Sequence, residues 1–397
     1  MFKLKEIIFS VTSRCNLKCM MCDIPSSRNG ELSTGILRSA LEDAAALGAG
    51  TAVFSGGEPL LRGDIFELVA FCKKLGLGAC VTSNGFLVDD ITAGKLADAG
   101  VDVVNISVEG DRQTHERLRG AGTYEKALHA LRCLRGRGVE TTIASTVSRY
   151  NYNSLEHIVE LAKDTGATTL KFQPFSRIFV SPGRNCSEFL LGDVEAKAVM
   201  DILRRIHALC GHYGVSVNPL PYLESIPAYL SSGIGGNASS CRSLFSSCPV
   251  DASGKVFPCW VLSGKEMMIG DITHTPLKDI WGTAKHHDII GRINRRNCGG
   301  CLMSCYDANF SPAAFSPASG SSILRKTARS ASGPALRKLA RKIAFYLSYR
   351  GSPLRLLRRW LPVKHRRSRE ENGTLKKASE EIRKAEETLE RELRDPR

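Results

Sequence analysis

Three closely spaced cysteines near the start of the chain constrain its fold and chemistry more than any other feature. Cys15, Cys19 and Cys22 follow an apolar run at residues 7–9. Cysteine thiolates hold iron–sulfur clusters, and a four-iron cubane bound by three thiolates leaves one iron with open positions that a small molecule can chelate. The spacing therefore predicts a cluster-binding loop with one iron open to chemistry.

Zinc binding and plain burial are the alternatives for these three thiols. Structural zinc usually takes four ligands, commonly in pairs two residues apart. After Cys22 the next cysteine is Cys72, and the first histidine is His115. The missing fourth ligand favours the iron–sulfur cluster over zinc.

A second segment, residues 51–59, consists of a short apolar stretch that ends in Gly56, Gly57, Glu58 and a proline. Glycines allow the backbone to approach a ligand closely, and a glutamate offers an anionic acceptor for an ammonium group. Taken alone, the segment is equally compatible with a simple turn. Its position one βα unit after the cysteine loop favours a ligand-binding role over a simple turn.

Together the two segments resemble the radical S-adenosylmethionine (SAM) superfamily, whose hallmark is this cysteine spacing. The resemblance covers roughly residues 1–215. It implies that Cys15, Cys19 and Cys22 hold a catalytic [4Fe-4S] cluster whose open iron is chelated by the amino and carboxylate groups of SAM. It further implies reductive cleavage of SAM to a 5′-deoxyadenosyl radical, which abstracts a substrate hydrogen.

The same resemblance implies a set of SAM-binding residues at strand ends. Similar enzymes receive the SAM amino group on the Gly-Gly-Glu segment and present polar side chains to the ribose and the methionine carboxylate from the third and fourth strands. Ser107 and Glu109 are the ribose candidates, although ordinary turn chemistry also explains their residue types. The expected residues are Gly56, Gly57, Glu58, Asn84, Ser107 and Glu109. Met21 departs from the family, which often has an aromatic residue there.

Apolar, β-branched runs alternate with helical patterns along this region. The predicted strands lie near residues 6–11, 51–54, 79–82, 101–107, 140–147 and 168–172. Six such units predict an α/β fold with a parallel sheet and reactive groups at the carboxyl ends of the strands. The resemblance implies a partial (β/α)6 TIM-like barrel. Thr123 is the predicted cap of the helix that follows it.

A second group of cysteines follows a Gly- and Ser-rich connector at residues 231–237. Gly254 permits a tight hairpin before one of them. This region resembles the auxiliary-cluster extension called SPASM or twitch, which implies one auxiliary [4Fe-4S] cluster. The expected ligands are Cys241, Cys259, Cys298 and Cys301, with Cys305 as the alternative to Cys241. A zinc site on the same thiolates is the competing hypothesis.

The chain of 397 residues is long enough for two domains and a tail. The predicted division is a barrel at 1–215, an auxiliary-cluster domain at 216–310, a Ser- and Pro-rich linker at 311–322 and a basic tail at 323–397. A disulfide framework is not expected in a chain of this length without a signal peptide, so the fourteen cysteines favour a reducing cytoplasm.

Positive charge is concentrated in the tail. Residues 321–369 hold fifteen Lys or Arg and no Asp or Glu, which equals the whole formal excess of +15. Apolar residues at helical spacing predict a basic amphipathic helix at 323–369 that lies on an anionic membrane surface at the inner face of the membrane. Packing against the barrel is the next alternative, and nucleic-acid binding ranks below both.

The sequence therefore predicts a radical SAM enzyme with an unknown substrate. Peptide or protein side chains and envelope-related molecules, lipid-linked or sugar, are held level as substrate classes. The resemblance also implies an external reductant such as flavodoxin or ferredoxin. The alternative from another class is a non-catalytic iron–sulfur protein that binds RNA or another polyanion.

Overall fold

The computed structural model describes residues 4–26, 30–232, 243–261, 265–295 and 301–303. All of them belong to one compact unit, Met1–Ser311. Outside the described residues lie the linker, the basic tail and three of the expected auxiliary ligands, Cys241, Cys298 and Cys305. No helix in the described ranges is long and apolar enough to cross a membrane.

A nine-stranded sheet forms the centre of the described structure, in the order β6-β5-β4-β3-β2-β1-β7-β8-β9. Strands β1 to β6 are parallel and neighbour one another in chain order, β7 is parallel to β1, and β8 and β9 are antiparallel. The strands are β1 (Glu6–Thr12), β2 (Thr51–Gly56), β3 (Gly78–Ser83), β4 (Val103–Ser107), β5 (Glu140–Val147), β6 (Thr169–Pro174), β7 (Ser247–Val250), β8 (Lys255–Val256) and β9 (Gly270–Asp271). The first six match the predicted strands to within two residues at each end.

Helices connect the parallel strands in chain order and cover one face of the sheet, and a last helix follows β9. They are α1 (Thr34–Ala46), α2 (Ile65–Lys74), α3 (Asp90–Ala99), α4 (Arg112–Arg119), α5 (Thr123–Gly136), α6 (His157–Thr165), α7 (Asp193–Tyr213), α8 (Leu220–Ser232), α9 (Ser243–Ser246) and α10 (Ala284–Arg295). Parallel strands need such crossovers, and the alternation of strands with helices is what the sequence pattern predicted. The α/β class is thus confirmed.

The two faces of the parallel strands differ in burial. On the helix-covered face, Phe9, Phe54 and Phe172 are fully buried in the apolar core. On the other face, side chains such as Asn105 and Lys171 stay partly exposed. Because successive residues of a strand point to opposite faces, one strand serves both a packed core and an accessible interior.

The sheet curves into an open, partial barrel. Glu6 on β1 and Lys171 on β6 interact electrostatically, although β1 and β6 are separated by four strands in the sheet. Their inner faces therefore look toward each other across a lumen, by which we mean the space enclosed by the inner faces of β1 to β6. At the free edge of β6, the pairing found among the described residues is an isolated β-bridge between Thr169 and Ser216.

The cap of helix α5 differs from the prediction. The residue before the helix is Gly122, whose φ of 75° is left-handed and suits glycine. Thr123 is the first helical residue, and its hydroxyl donates to the Gly120 carbonyl at 2.6 Å. The prediction that Thr123 caps the helix was wrong because the chain turns one residue earlier, at a glycine.

Strand β7, from the cysteine-rich region, extends the barrel sheet. It pairs with β1 over four residues and turns back into β8 at Gly254, whose φ is 95°. The hairpin expected from this glycine is present. The thiol of Cys248 lies in β7 and is fully buried. The cysteine-rich region is consequently joined to the strand that precedes the cysteine loop.

We predict that core packing on β6 contributes strongly to stability. Phe172→Ala, at a fully buried position, should lower the free energy of unfolding by about 3–5 kcal/mol. Phe86→Ala, at a side chain 37% exposed, is the matched control and should cost less than about 1 kcal/mol. Denaturant titration followed by circular dichroism measures both. Equal midpoints for the two variants would contradict the assigned core.

Candidate active site

The three cysteines of the first motif lie together on the loop that follows β1. Cys15, Cys19 and Cys22 are each partly exposed, and the electrostatic influence of Cys19 reaches both other thiols. Within the described part of the chain, no three His, Cys, Asp or Glu side chains gather closely enough to hold a single metal ion. A cubane instead takes each thiolate on a different iron, so a cluster suits this spread arrangement better than one ion.

Two contacts hold the cysteine loop against the barrel. The Met20 amide donates to the Leu118 carbonyl at the end of α4, at 2.8 Å. On the other side, the Arg184 guanidinium donates to the Met20 carbonyl at 2.5 Å and forms an ion pair with Asp23 at 2.8 Å. The loop is therefore positioned by elements distant in sequence.

The environment of the thiols favours proton retention until a metal binds. Burial raises the pKa of Cys15, Cys19 and Cys22, and neighbouring thiols add to the increase for Cys15 and Cys22. For Cys22 the pKa rises to about 11. Iron binds the thiolate, so loading a cluster here releases protons, as for other cysteine metal sites.

Several N–H groups point at the sulfur atoms. The Leu17 amide donates to Cys15 Sγ at 3.5 Å, and Asn84 Nδ2 donates to the same sulfur at 3.8 Å. Arg119 Nη1 donates to Cys19 Sγ at 3.7 Å. Such donors stabilise negative charge on thiolates and are a known means of tuning iron–sulfur clusters. The donor set fits a cluster on this loop.

Gly56 and Gly57 allow the end of β2 to lie directly against the cysteine loop. A Cβ at Gly57 would stand 2.1 Å from the Arg14 carbonyl oxygen, and one at Gly56 would stand 2.4 Å from that of Thr12. The Gly57 amide donates to the Thr12 carbonyl at 2.8 Å, and the Glu58 amide donates to the Arg14 carbonyl at 2.9 Å. The glycines are needed for a close approach to the protein's own backbone, whereas the sequence suggested a close approach to a ligand.

The Glu58 carboxylate is engaged within the protein. It is fully buried and accepts hydrogen bonds from the amides of Leu60 at 3.1 Å and Asn84 at 2.8 Å. Burial raises the pKa of this carboxyl, while the two amides oppose the rise. Its role as an acceptor for an ammonium group stays a prediction. In the structure, Glu58 joins the ends of β2 and β3.

Asn84 connects the end of β3 to the cysteine loop. Its Nδ2 donates to Asn16 Oδ1 at 2.8 Å in addition to Cys15 Sγ, and its own Oδ1 accepts from the Phe86 amide. The residue is buried. Two of the expected SAM-binding residues, Glu58 and Asn84, are therefore brought together with the cysteines by one hydrogen-bonded network.

Glu109 also has protein partners. Its carboxylate is fully buried and pairs with Arg119 at 2.5 Å, and its second oxygen accepts from the Thr146 amide at 2.8 Å. Burial lowers the pKa of Arg119, but the charge and hydrogen bond of Glu109, together with the Cys19 and Cys22 thiols, outweigh this and the pKa is raised overall. Ser107, by contrast, stays partly exposed on the inner face of β4. Of the two ribose candidates, Ser107 is the one whose side chain is accessible.

Arg119 is a residue that the sequence interpretation missed. It lies at the end of α4, and its charge sits between Cys19 and Glu109. It belongs to no recognisable motif, because an arginine in a helix of mostly polar and charged residues resembles a solvated surface residue. Only the docking of the cysteine loop on α4 shows its contact with Cys19.

Two of the expected auxiliary ligands, Cys259 and Cys301, fall within the described residues. Cys259 is buried and Cys301 is partly exposed. Next to Cys301, the Leu302 carbonyl accepts from the Tyr222 hydroxyl at 2.6 Å, and Gln173 at the end of β6 contacts Met303 Sδ at 3.2 Å. The Cys301 segment therefore stands beside the carboxyl end of β6, at the same end of the barrel as the cysteine loop.

Comparison with protein families agrees with this geometry. The model of the radical SAM superfamily matches residues 9–162, and that of the SPASM iron–sulfur cluster-binding domain matches residues 241–306. The chain belongs to the radical SAM superfamily and carries a SPASM domain. SAM, a [4Fe-4S] cluster and auxiliary iron–sulfur binding follow from this membership.

Individual proteins are similar to this chain at sequence identities of 21–33% in the following examples. An AdoMet-dependent heme synthase of Nitratidesulfovibrio vulgaris is 26% identical over 339 residues, which cover 76% of this chain and 88% of that protein. A PqqA peptide cyclase of Granulibacter bethesdensis is 33% identical over 167 residues, 41% of this chain and 45% of that protein. The solved structure of anSMEcpe with bound AdoMet shares the fold with a TM-score of 0.58 at 21% identity, covering 77% of this chain and 89% of that one.

We predict that Gly57→Ala prevents proper placement of the cysteine loop. The added Cβ meets backbone atoms of Arg14, which cannot move aside as a flexible side chain would. Anaerobic reconstitution should give protein with about half the wild-type iron content, because the cluster on this loop is lost while an auxiliary four-iron cluster would be kept. Iron and acid-labile sulfide analysis measures the loss.

Gly63→Ala is the matched control for this experiment. No heavy atom lies within 4 Å of a Cβ built at Gly63. Its iron content should equal that of the wild type. A Gly57→Ala protein that loads iron as well as this control would refute the requirement for glycine at position 57.

Proposed function

We propose that the protein cleaves SAM reductively on a [4Fe-4S] cluster held by Cys15, Cys19 and Cys22, and that the resulting radical abstracts a hydrogen atom from a substrate in the barrel lumen. The observation that carries this proposal is the arrangement of three thiols on one loop, with N–H donors at their sulfur atoms, above the open end of a parallel barrel. When bound, the cluster and SAM supply the electron and the radical.

The residues around the cysteine loop have distinct parts in this proposal. Gly56, Gly57 and Glu58 place the end of β2 beside the loop, where their backbone can receive the methionine end of SAM. Asn84 and Ser107 occupy the next two strand ends, and Ser107 has the accessible side chain for the ribose. Glu109 contributes by holding Arg119 beside Cys19.

The auxiliary cluster is proposed on Cys241, Cys259, Cys298 and Cys301, with Cys305 as the alternative to Cys241. Support comes from the SPASM match and from Cys301, whose segment stands beside the end of β6. A cluster at that position borders the mouth of the lumen. An external one-electron reductant, such as flavodoxin or ferredoxin, completes the proposed system.

The proposed substrate class is a tetrapyrrole. The heme synthase relative matches over 76% of this chain and 88% of its own length, whereas the peptide cyclase matches over less than half of its own length. A peptide side chain is the second candidate, favoured by the higher identity of that partial match. The envelope-linked alternative and the membrane contact depended on residues 323–369, which lie outside the described residues.

We predict that formation of 5′-deoxyadenosine requires all three cysteines of the loop. Reconstituted, dithionite-reduced wild-type protein should produce 5′-deoxyadenosine from SAM, and Cys15→Ala, Cys19→Ala or Cys22→Ala should abolish it because the cluster loses a ligand. Chromatography with mass spectrometry quantifies the product. Cys248→Ala, at a buried strand thiol, is the control and should retain activity. No product from wild-type protein with an intact cluster would favour the non-catalytic alternative.

We predict that Arg119 raises the reduction potential of this cluster. Reduction adds negative charge, which a nearby guanidinium stabilises, so Arg119→Met should lower the potential by roughly 40 mV or more, equivalent to about 1 kcal/mol for one electron. Glu109→Gln should shift it in the opposite direction. EPR-monitored redox titration measures both. Arg119→Lys keeps the charge and should lie between Arg119→Met and the wild type; identical potentials in all four proteins would show that Arg119 is only structural.

A further inference from the structure

The inner face of the barrel is polar and accessible. In closed eight-stranded barrels the interior is filled by bulky branched side chains. Here, inner-face residues on several strands are partly exposed, while their neighbours on the outer face are buried. The relevant residues are Thr82, Asn105, Ser107, Thr146, Lys171 and Gln173. A lumen lined in this way is a ligand cavity with fixed hydrogen-bonding groups.

Lys171 places a positive charge inside this lumen. It lies on β6 between Leu170 and Phe172, both buried on the outer face, so its side chain is directed inward. In the sheet register, Lys171 is beside Ala144, which is in turn beside Ser107. The short side chain of Ala144 leaves space next to the lysine, on the path toward the SAM-binding strand end.

The lysine is not neutralised by a close partner in the described structure. The ion pairs formed within 4.0 Å by the described residues do not include Lys171. The acidic groups that it influences are the Cys80 thiol and the carboxylate of Glu6, which is buried at the start of β1 and accepts a hydrogen bond from Ser247 at 3.3 Å. A partly exposed ammonium without an ion pair can bind an anion that enters the lumen.

We infer that Lys171 binds a carboxylate of the substrate inside the barrel lumen. This inference rests on the proposed function and names the chemistry of its substrate. Asn105 and Gln173 lie on the same inner face. Their amide nitrogens donate to Thr82 and Met303, which leaves the amide oxygens to accept hydrogen bonds from a polar ligand. Lys171 thereby positions the substrate between the strand ends that hold SAM and the Cys301 segment at the mouth.

Binding of carboxylate probes to reconstituted full-length protein tests the inference without SAM turnover. One arm uses Fe-coproporphyrin III, whose propionate side chains are carboxylates, and its neutral methyl ester. The other arm uses a glutamate-containing peptide and the same peptide with glutamine. Equilibrium dialysis measures each dissociation constant for the wild type, Lys171→Gln, Lys171→Arg and the surface control Lys95→Gln.

The expected result is that at least one carboxylate probe binds the wild type, about tenfold to a hundredfold more tightly than its neutral analogue. Lys171→Gln should lose that difference, Lys171→Arg should keep most of it, and Lys95→Gln should match the wild type. The arm that shows the difference identifies a tetrapyrrole or a peptide as the source of the carboxylate. If Lys171→Gln fails to fold, the comparison of each carboxylate probe with its neutral analogue and the affinity of Lys171→Arg still test the inference.

Three outcomes would overturn the inference: neither carboxylate probe binds the wild type, Lys171→Gln binds as tightly as the wild type, or the neutral analogue binds as tightly as the carboxylate. Formation of 5′-deoxyadenosine, assayed separately on the same proteins without probe, distinguishes this failure from that of the proposed function. Wild-type protein that cleaves SAM but binds neither carboxylate probe would overturn this inference and leave the proposed function intact.

Discussion

The close contact between the end of β2 and the loop after β1 is the constraint on which the site depends. The backbone of Gly56 and Gly57 lies so near to Thr12 and Arg14 that a side chain would overlap with main-chain atoms. This contact determines the path of the loop into the three cysteines. Glu58 then extends the same network to the end of β3 by accepting the Asn84 amide. A cluster-binding loop is thus held by parallel strands and not by its own sequence alone.

A buried ion pair lies beside this loop. Arg119 contacts Cys19, while the fully buried Glu109 compensates its charge and holds the carboxyl end of β5 by accepting the Thr146 amide. Breaking such a buried pair leaves an uncompensated charge, which is strongly destabilising. Loss of either partner would therefore change the charge beside Cys19 and destabilise the barrel at the same time.

The curvature of the sheet creates the second functional feature. Because β6 faces β1 across the lumen, Lys171 and the polar residues of β3, β4 and β5 share one accessible interior. The segment around Cys301 stands at the same mouth through its contacts with Gln173 and Tyr222. A substrate in the lumen would thus lie below the cysteine loop and beside the auxiliary-cluster region.

The sequence by itself determined the strand positions, the parallel α/β class, the superfamily and the SPASM domain, because periodic apolar runs and cysteine spacings are local signals. Local patterns could not reveal that the glycines of the second motif face the cysteine loop. Nor could they reveal that the carboxylates of Glu58 and Glu109 accept hydrogen bonds from other residues of the protein. They also gave no sign that Arg119 reaches Cys19, that β7 pairs with β1, or that Lys171 points into the lumen. Only the tertiary structure decided these features, since each depends on which distant segments the sheet brings together and on the direction in which it curves.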